Sequence, residues 1–102
     1  MIEVLDAPER SRYEILVDGT FAGFTHYQPY EGSLVFDHTV INEQFAGQGL
    51  ASKLVRAALD DVRAQQGRVV PLCEYMAGWL EKNPDYDDLV DRELLARILA
   101  TA

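Results

Sequence analysis

The first half of the chain carries the two-residue alternation of apolar and polar positions that is typical of β-strands. Residues 13–17 alternate and end at Asp18-Gly19, a dipeptide favoured in two-residue hairpin turns. Residues 20–27 predict the returning strand, and residues 28–32 predict a loop because they contain both proline and glycine. Residues 33–41 predict a third strand, so these segments together indicate an antiparallel meander.

The third predicted strand has one largely apolar face that includes a histidine. The period of two places four alternate side chains on that face: Leu34, Phe36, His38 and Val40. A histidine in this setting is either a hydrogen-bonded member of the core or a titratable group beside a site. Both interpretations of His38 remain open from the sequence.

After Gly49 the apolar period changes from two to that of a helix. One apolar stripe follows at helical spacing and consists of Leu50, Leu54, Val55, Ala58, Leu59 and Val62. Gly67 is expected to take the left-handed position that ends this helix. Residues 68–72 predict a short strand, with pairing interrupted near its end by Pro71, so strand, helix and strand form a crossover unit.

The remaining residues predict two more helices. Residues 74–82 form the first, which the Asn83-Pro84 pair should end, and residues 85–88 form an acidic loop. Residues 89–102 carry leucine and isoleucine at helical spacing, which predicts a terminal helix docked on the core. The predicted fold class is therefore α/β with a mixed sheet: an antiparallel meander, one β-α-β crossover unit and C-terminal helices in a single domain spanning residues 1–102.

Composition narrows the classes of function. The formal net charge is −8, and no basic stripe is present, which argues against nucleic-acid binding and weakly favours cationic partners such as amines. No apolar run approaches the roughly 20 residues of a membrane span, and no secretory signal is apparent, so a cytoplasmic location is expected. A single cysteine excludes an intrachain disulfide, and two histidines without zinc-site spacing predict no metal site.

The junction between the third strand and the first helix is the strongest candidate for a binding site. Gly47 and Gly49 allow a tight turn in which several amides point outward at a helix start, an arrangement that can hold a pyrophosphate. The established phosphate motifs fail here, since Ser52-Lys53 reverses the P-loop order and Ser52 replaces the third glycine of the dinucleotide fingerprint. A merely structural connection is the alternative interpretation of the glycines.

A third motif fits in full. Gln44-x-x-Gly47-x-Gly49 resembles the acetyl-CoA-binding signature of the Gcn5-related N-acetyltransferases. Three further segments extend the resemblance to the small, single-domain branch of that superfamily, whose members are described as predicted acetyltransferases or acetyltransferase-like proteins. These segments are Phe36-Asp37-His38-Thr39, Val70-Pro71-Leu72-Cys73 and Asn83-Pro84-Asp85-Tyr86. The match covers roughly residues 13–90.

The resemblance implies how acetyl-CoA would bind as cosubstrate. Amides around the glycine turn would hold the pyrophosphate, backbone groups of Val40 and Ile41 would pair with the pantetheine arm, and Asn83 would reach the same arm. The third strand and residues 68–72 would separate, leaving a gap for the thioester, whose carbonyl a third-strand amide would polarise. The full set of implied cofactor-binding residues is Val40, Ile41, Gln44, Phe45, Ala46, Gly47, Gln48, Gly49, Leu50, Ala51, Ser52 and Asn83.

Transfer to an amine requires a group that accepts a proton and a group that protonates the departing thiolate. Cys73 follows a strand and precedes a helix, where the helix dipole favours a thiolate, so it can be an acyl-accepting nucleophile or a small buried residue. His38 can act as the base or orient Cys73. Tyr75 and Tyr86 are candidate acids, because typical members carry an acidic tyrosine in this region, and Tyr75 lies nearer the gap.

Two departures from typical members bear on catalysis. The larger proteins insert helices between their first two strands to shape an acceptor pocket, whereas Asp18-Gly19 predicts a tight hairpin here. The larger proteins also finish with further strands, whereas an acidic loop and a helix are predicted at that point of this chain. The expected function is transfer of an acetyl group from acetyl-CoA to a primary amine of a small molecule or a protein lysine. The alternative is a module that binds CoA or acyl-CoA without efficient catalysis, and a plain interaction domain is a third possibility.

Overall fold

The computed structural model describes residues 1–101, which contain one five-stranded mixed sheet with the spatial order β1-β2-β3-β4-β5. The first four strands are antiparallel, and β5 lies parallel to β4. The strands are β1 Ile2–Ala7, β2 Arg12–Val17, β3 Thr20–Tyr30, β4 Ser33–Ile41 and β5 Val69–Pro71. The meander and the crossover therefore take the predicted form.

Within residues 1–101, three α-helices and three short 3-10 helices accompany the sheet. The α-helices are α1 Leu50–Ala64, α2 Glu74–Lys82 and α3 Arg92–Thr101, and the 3-10 helices are Pro8–Arg10, Glu43–Phe45 and Pro84–Leu89. The apolar stripe of α1 packs on the inner face of β1 to β4, and α2 joins the same core through Met76 and Trp79. Val35 and Val70 face the other side of the sheet, where they pack with Leu94 of α3. No helix in the described part of the chain is long and apolar enough to cross a membrane.

The sequence analysis did not identify β1. Its residues read as a short apolar run broken by acids, and two of its large side chains, Ile2 and Leu5, remain exposed because β1 is an edge strand. The Asp18-Gly19 hairpin forms as predicted, with both residues at positive φ (48° and 83°), but it joins β2 to β3. The first two strands are instead connected by the 3-10 turn Pro8–Arg10, so the prediction that Asp18-Gly19 joins the first two strands is wrong.

Three predicted boundaries are wrong. The loop predicted at residues 28–32 is mostly strand, since β3 continues through Pro29 to Tyr30 and the turn falls at Glu31-Gly32. Gln66, with a φ of 59°, holds the left-handed position at the end of α1 that was expected for Gly67. The terminal helix begins at Arg92 instead of residue 89, and Ala102 lies outside the described residues.

A β-bulge in β4 overturns the predicted face of that strand. In the pairing with β3, Phe36 lies opposite Tyr27 and His38 lies opposite His26, so Asp37 is the extra residue. The bulge reverses the alternation after Phe36, which is fully buried, and the side chain of His38 is 73% exposed on the opposite face. Leu34 and Phe36 therefore share a face, but His38 and Val40 do not share it with them.

Three aromatic rings form the centre of the core. The ring centroids of Tyr13, Tyr27 and Phe36 lie 5.5–6.2 Å apart. The Tyr13 hydroxyl donates to Asp61 at 2.6 Å, and the Tyr27 hydroxyl donates to Asp6 at 2.6 Å. Burial is the larger cause, and these hydrogen bonds to carboxylates the next, of a pKa that lies well above the ordinary value in both tyrosines.

These tyrosines predict a loss of stability at alkaline pH. Because the folded pKa is raised, the unfolded chain releases its tyrosine protons first as pH rises above about 10, and stability falls. The contribution of each suppressed ionisation to the free energy of unfolding, measured with urea from about pH 8 to about pH 11, should be nearly constant below about pH 9. Above about pH 10 it should fall with a slope that approaches about 1.4 kcal/mol per pH unit. Tyr27→Phe should remove one such contribution, whereas Tyr30→Phe, at an exposed tyrosine, should leave the slope unchanged. Equal slopes in all three proteins would contradict this account.

Candidate functional site

The turn between β4 and α1 has the conformation for which its glycines are required. Gly47 and Gly49 have φ values of 81° and 72°, in the left-handed region that L-residues with a Cβ rarely adopt. A Cβ at either position would meet no atom within 4 Å, so the backbone conformation, and not lack of space, requires glycine. Residues 46–49 are exposed, while Phe45 packs against the core and fixes the turn to the body of the protein.

The start of α1 is free to receive an anion. Gly49 is the N-cap and no side chain caps the helix. The first turn contains no acidic residue, and the exposed Lys53 lies within it. Since helix N-termini carry unpaired amides and a partial positive charge, this turn attracts anions. The position matches the predicted pyrophosphate site.

A groove runs beside this helix start, between α1 and α2. Its volume is about 380 Å³, and it is lined by Ser52, Glu74, Tyr75, Gly78, Trp79, Lys82 and Asn83. Trp79 Nε1 donates to Ser52 Oγ at 2.9 Å, and Asn83 Nδ2 donates to the Trp79 carbonyl at 2.8 Å. The structure thus brings together three residues that the sequence analysis had singled out separately: Ser52, Tyr75 and Asn83.

The pairing of β4 with β5 ends beside this groove. The last register pair is Phe36 with Pro71, and the Phe36 carbonyl accepts hydrogen bonds from the amides of both Leu72 and Cys73, each at 2.9 Å. Beyond Phe36, β4 continues to Ile41 with no β5 residue opposite it. Val40 and Ile41, the residues expected to pair with pantetheine, lie in the part of β4 that pairs with β3 but not with β5.

Cys73 lies where β5 gives way to α2, as predicted, and its side chain is buried. It is the N-cap residue of α2, and its Sγ lies 3.3 Å from Thr39 Oγ1. Thr39 Oγ1 in turn lies 2.9 Å from Thr25 Oγ1. Among the described residues, no histidine or carboxylate makes a hydrogen bond with the thiol. The sequence analysis missed both threonines, because the bulge at Asp37 is what turns Thr39 toward the core.

His38 lies on the other side of β4 from Cys73, so the structure does not bring the two side chains together. Its Nδ1 is 3.5 Å from Asp37 Oδ1, and the same oxygen lies 2.7 Å from Nδ1 of His26. Burial opposes ionisation of Asp37, but the hydrogen bond with His26 and the charges of both histidines outweigh it and lower the pKa of this carboxyl. His26 of β3 is thus part of the cluster, a role for which the sequence pattern gives no sign.

The two candidate tyrosines differ in access to solvent. Tyr75 is 41% exposed and lines the groove. Tyr86 is buried, stacks edge-to-face on Trp79 and donates its hydroxyl proton to Asp60 at 2.7 Å. The hydrogen bond to Asp60, together with burial, raises the pKa of Tyr86. Of the two, only Tyr75 is available to a molecule in the groove.

The family model described as GCN5-related N-acetyl-transferase matches residues 12–89 of the chain. The chain belongs to this family. The match extends over the glycine turn, the groove and Cys73, and the observed mixed sheet is the fold of solved members. A search of curated proteins found no significant match.

Three solved structures show the same fold. A GCN5-like protein from Staphylococcus aureus, solved by NMR, is 21% identical, with a TM-score of 0.66 over 86% of each chain. Ard1 from Thermoplasma volcanium is 25% identical, with a TM-score of 0.52 over 60% of this chain and 43% of its own. The ribosomal-protein-alanine N-acetyltransferase from Brucella melitensis biovar Abortus 2308 is 19% identical, with a TM-score of 0.50 over 78% of this chain and 60% of its own. The chain thus spans less than two thirds of the length of each of the last two proteins.

Proposed function

We propose that this protein is an acetyl-CoA-dependent N-acetyltransferase that acts on a primary amine. The proposal rests mainly on the pair of left-handed glycines, Gly47 and Gly49, which precede a helix start without a side-chain cap. This helix start lies next to a groove, and the chain belongs to the GCN5-related family. An anionic pyrophosphate suits that helix start, and the groove suits the extended arm that follows it.

The uncapped helix start and the exposed Lys53 suit the negative charge of CoA. Amides of the turn and the first turn of α1 would hold the pyrophosphate, with Lys53 nearby, and backbone groups of Val40 and Ile41 would hold the pantetheine arm. When bound, acetyl-CoA supplies an acetyl group activated as a thioester. The cofactor-contacting set is the one expected from sequence: Val40, Ile41, Gln44, Phe45, Ala46, Gly47, Gln48, Gly49, Leu50, Ala51, Ser52 and Asn83.

Two side chains around the end of the β4–β5 pairing would supply the acid–base groups. His38, exposed on the outer face of the sheet, would accept the proton of the incoming amine. Tyr75, exposed in the groove, would donate a proton to the departing thiolate. Cys73 is buried against Thr39, and no base contacts it among the described residues, which favours direct transfer to the amine over a cysteine-bound intermediate.

Binding of acetyl-CoA should depend on the conformation of the glycine turn. Calorimetry should show saturable binding, and Gly49→Ala should weaken it by roughly 5- to 30-fold, because alanine in the left-handed region costs about 1–2 kcal/mol. Gly19→Ala is the matched control, since Gly19 has the same backbone hand (φ 83°) and open space but lies in the β2–β3 hairpin. No binding at millimolar acetyl-CoA, or an equal loss in both variants, would overturn the assignment.

A Cys73→Ala variant distinguishes direct acetyl transfer from transfer through a cysteine-bound intermediate. Release of free CoA thiol, measured against a panel of primary amines, should continue in Cys73→Ala at a rate within about threefold of the parent protein, since direct transfer does not need the thiol. Intact mass after incubation with acetyl-CoA should show no acetyl group on the parent chain. Loss of turnover in the variant, with a 42 Da (roughly one acetyl group) adduct on the parent, would instead establish the covalent route. Binding without any thiol release would identify a CoA-binding module.

A further inference from the structure

One carboxylate oxygen lies between both histidines of the chain. Asp37 Oδ1 is 2.7 Å from His26 Nδ1 on β3 and 3.5 Å from His38 Nδ1 on its own strand. The arrangement depends on the β4 bulge, because Asp37 is the extra residue there and its side chain is free to turn toward the neighbouring strand. The Asp37 and His26 side chains are about one quarter and one third exposed (26% and 33%), whereas that of His38 is 73% exposed.

No stronger cation competes for Asp37 among the described residues. Arg12 lies opposite His26 in the sheet register, but its guanidinium lies over the rings of Phe21 and Phe24 and its Nε donates to Glu14 at 2.8 Å. Asp37 forms its ion pairs with the two imidazoles alone. Among the described residues, the two histidines are therefore the cationic partners of Asp37.

A carboxylate close to Nδ1 favours the tautomer of a histidine that carries its proton on that nitrogen, because the negative charge attracts the N–H. With the proton on Nδ1, the lone pair of Nε2 is free and points away from Asp37, so Nε2 can accept a proton while the carboxylate stabilises the resulting imidazolium. This logic applies to His38, whose ring edge opposite Asp37 is open to solvent. His26 then has a separate task, which is to hold Asp37 in place through the 2.7 Å hydrogen bond. The 3.5 Å contact between Asp37 and His38 is an electrostatic contact without hydrogen-bond geometry.

We propose that Asp37, held by His26, is a positioning residue that fixes the Nδ1–H tautomer of His38 and keeps its Nε2 ready for the acceptor amine. This inference rests on the proposed function and adds the direction of approach. His38 lies just past Phe36, where β4 loses β5, and on the face opposite Cys73. The acceptor therefore arrives as an alkylammonium at the outer face of the sheet.

The proton transfer from the ammonium to His38 balances in atoms and charge. One N–H bond of the ammonium breaks and its electron pair stays on the amine nitrogen, which becomes nucleophilic. The proton bonds to Nε2 of His38, and the imidazolium charge lies beside the Asp37 carboxylate. The proton then leaves to water, which restores the neutral imidazole.

The tautomer can be measured directly on the free chain. The sequence contains two histidines, so a ¹⁵N imidazole spectrum has two ring systems, which His26→Gln assigns. We expect His38 to be mainly Nδ1–H in the parent chain and in Asp37→Asn, whose amide oxygen still accepts, but mainly Nε2–H in Asp37→Ala. Asp85→Ala, at an exposed aspartate remote from the sheet bulge, is the control and should leave the tautomer unchanged.

Turnover of n-butylamine distinguishes the effect of the His38 tautomer from the effect of the Asp37 charge. We expect kcat to fall roughly tenfold in Asp37→Asn, which keeps the tautomer and loses the charge, and about 100-fold in Asp37→Ala. An Nε2–H tautomer in the parent chain, or unchanged kcat in Asp37→Ala, would overturn the positioning role. Failure to bind acetyl-CoA would overturn the proposed function instead, and the tautomer of the free chain would still decide whether Asp37 orients His38.

Discussion

The single extra residue in β4 determines how the candidate site is arranged. Up to Phe36 the strand pairs with β5 and points its large side chain into the aromatic core. At Asp37 the alternation reverses, so Thr39 turns inward to Cys73 while His38 turns outward. Because the Phe36 carbonyl also receives the amides that begin α2, the bulge, the end of strand pairing and the start of α2 occur together. Without the bulge, His38 would be packed with Phe36 and Thr39 would face away from the core.

The glycine turn and the bulge supply complementary parts of one proposed site. The turn offers backbone amides to an anion, and its conformation depends on Gly47 and Gly49 alone. The bulge places different side chains on the two faces of β4. The Cys73 thiol and the threonine pair lie on the core side, and the imidazole and carboxylate cluster lies on the opposite side. The groove at Ser52, Tyr75 and Asn83 lies beside the helix start. Such a division suits a ligand that is held by its polar end and reacts at the other.

The sequence was informative where periodicity and local turn chemistry decide structure. The stripe of α1, the limits of β4 and α2, and the Asp18-Gly19 hairpin are local properties, and each forms as predicted. Tertiary pairing decides the rest. β1 is stabilised by β2 and not by its own pattern, Pro29 is accommodated inside β3, and Gln66 takes the conformation expected of Gly67. The apolar and polar pattern of the sequence carries no sign of the bulge, so the faces of His38 and Thr39 and the role of His26 could not be predicted.

The central claim is that the turn at residues 45–50 is the place where acetyl-CoA is held, and backbone amide shifts test it most directly. In ¹H–¹⁵N spectra of the uniformly labelled chain, titration with acetyl-CoA should move the amides of residues 45–52 most, followed by those of Val40, Ile41 and Asn83. Amides of β1 and of the Asp18-Gly19 hairpin should remain in place. Saturable shifts confined to other surfaces, with the glycine turn unmoved, would contradict the account.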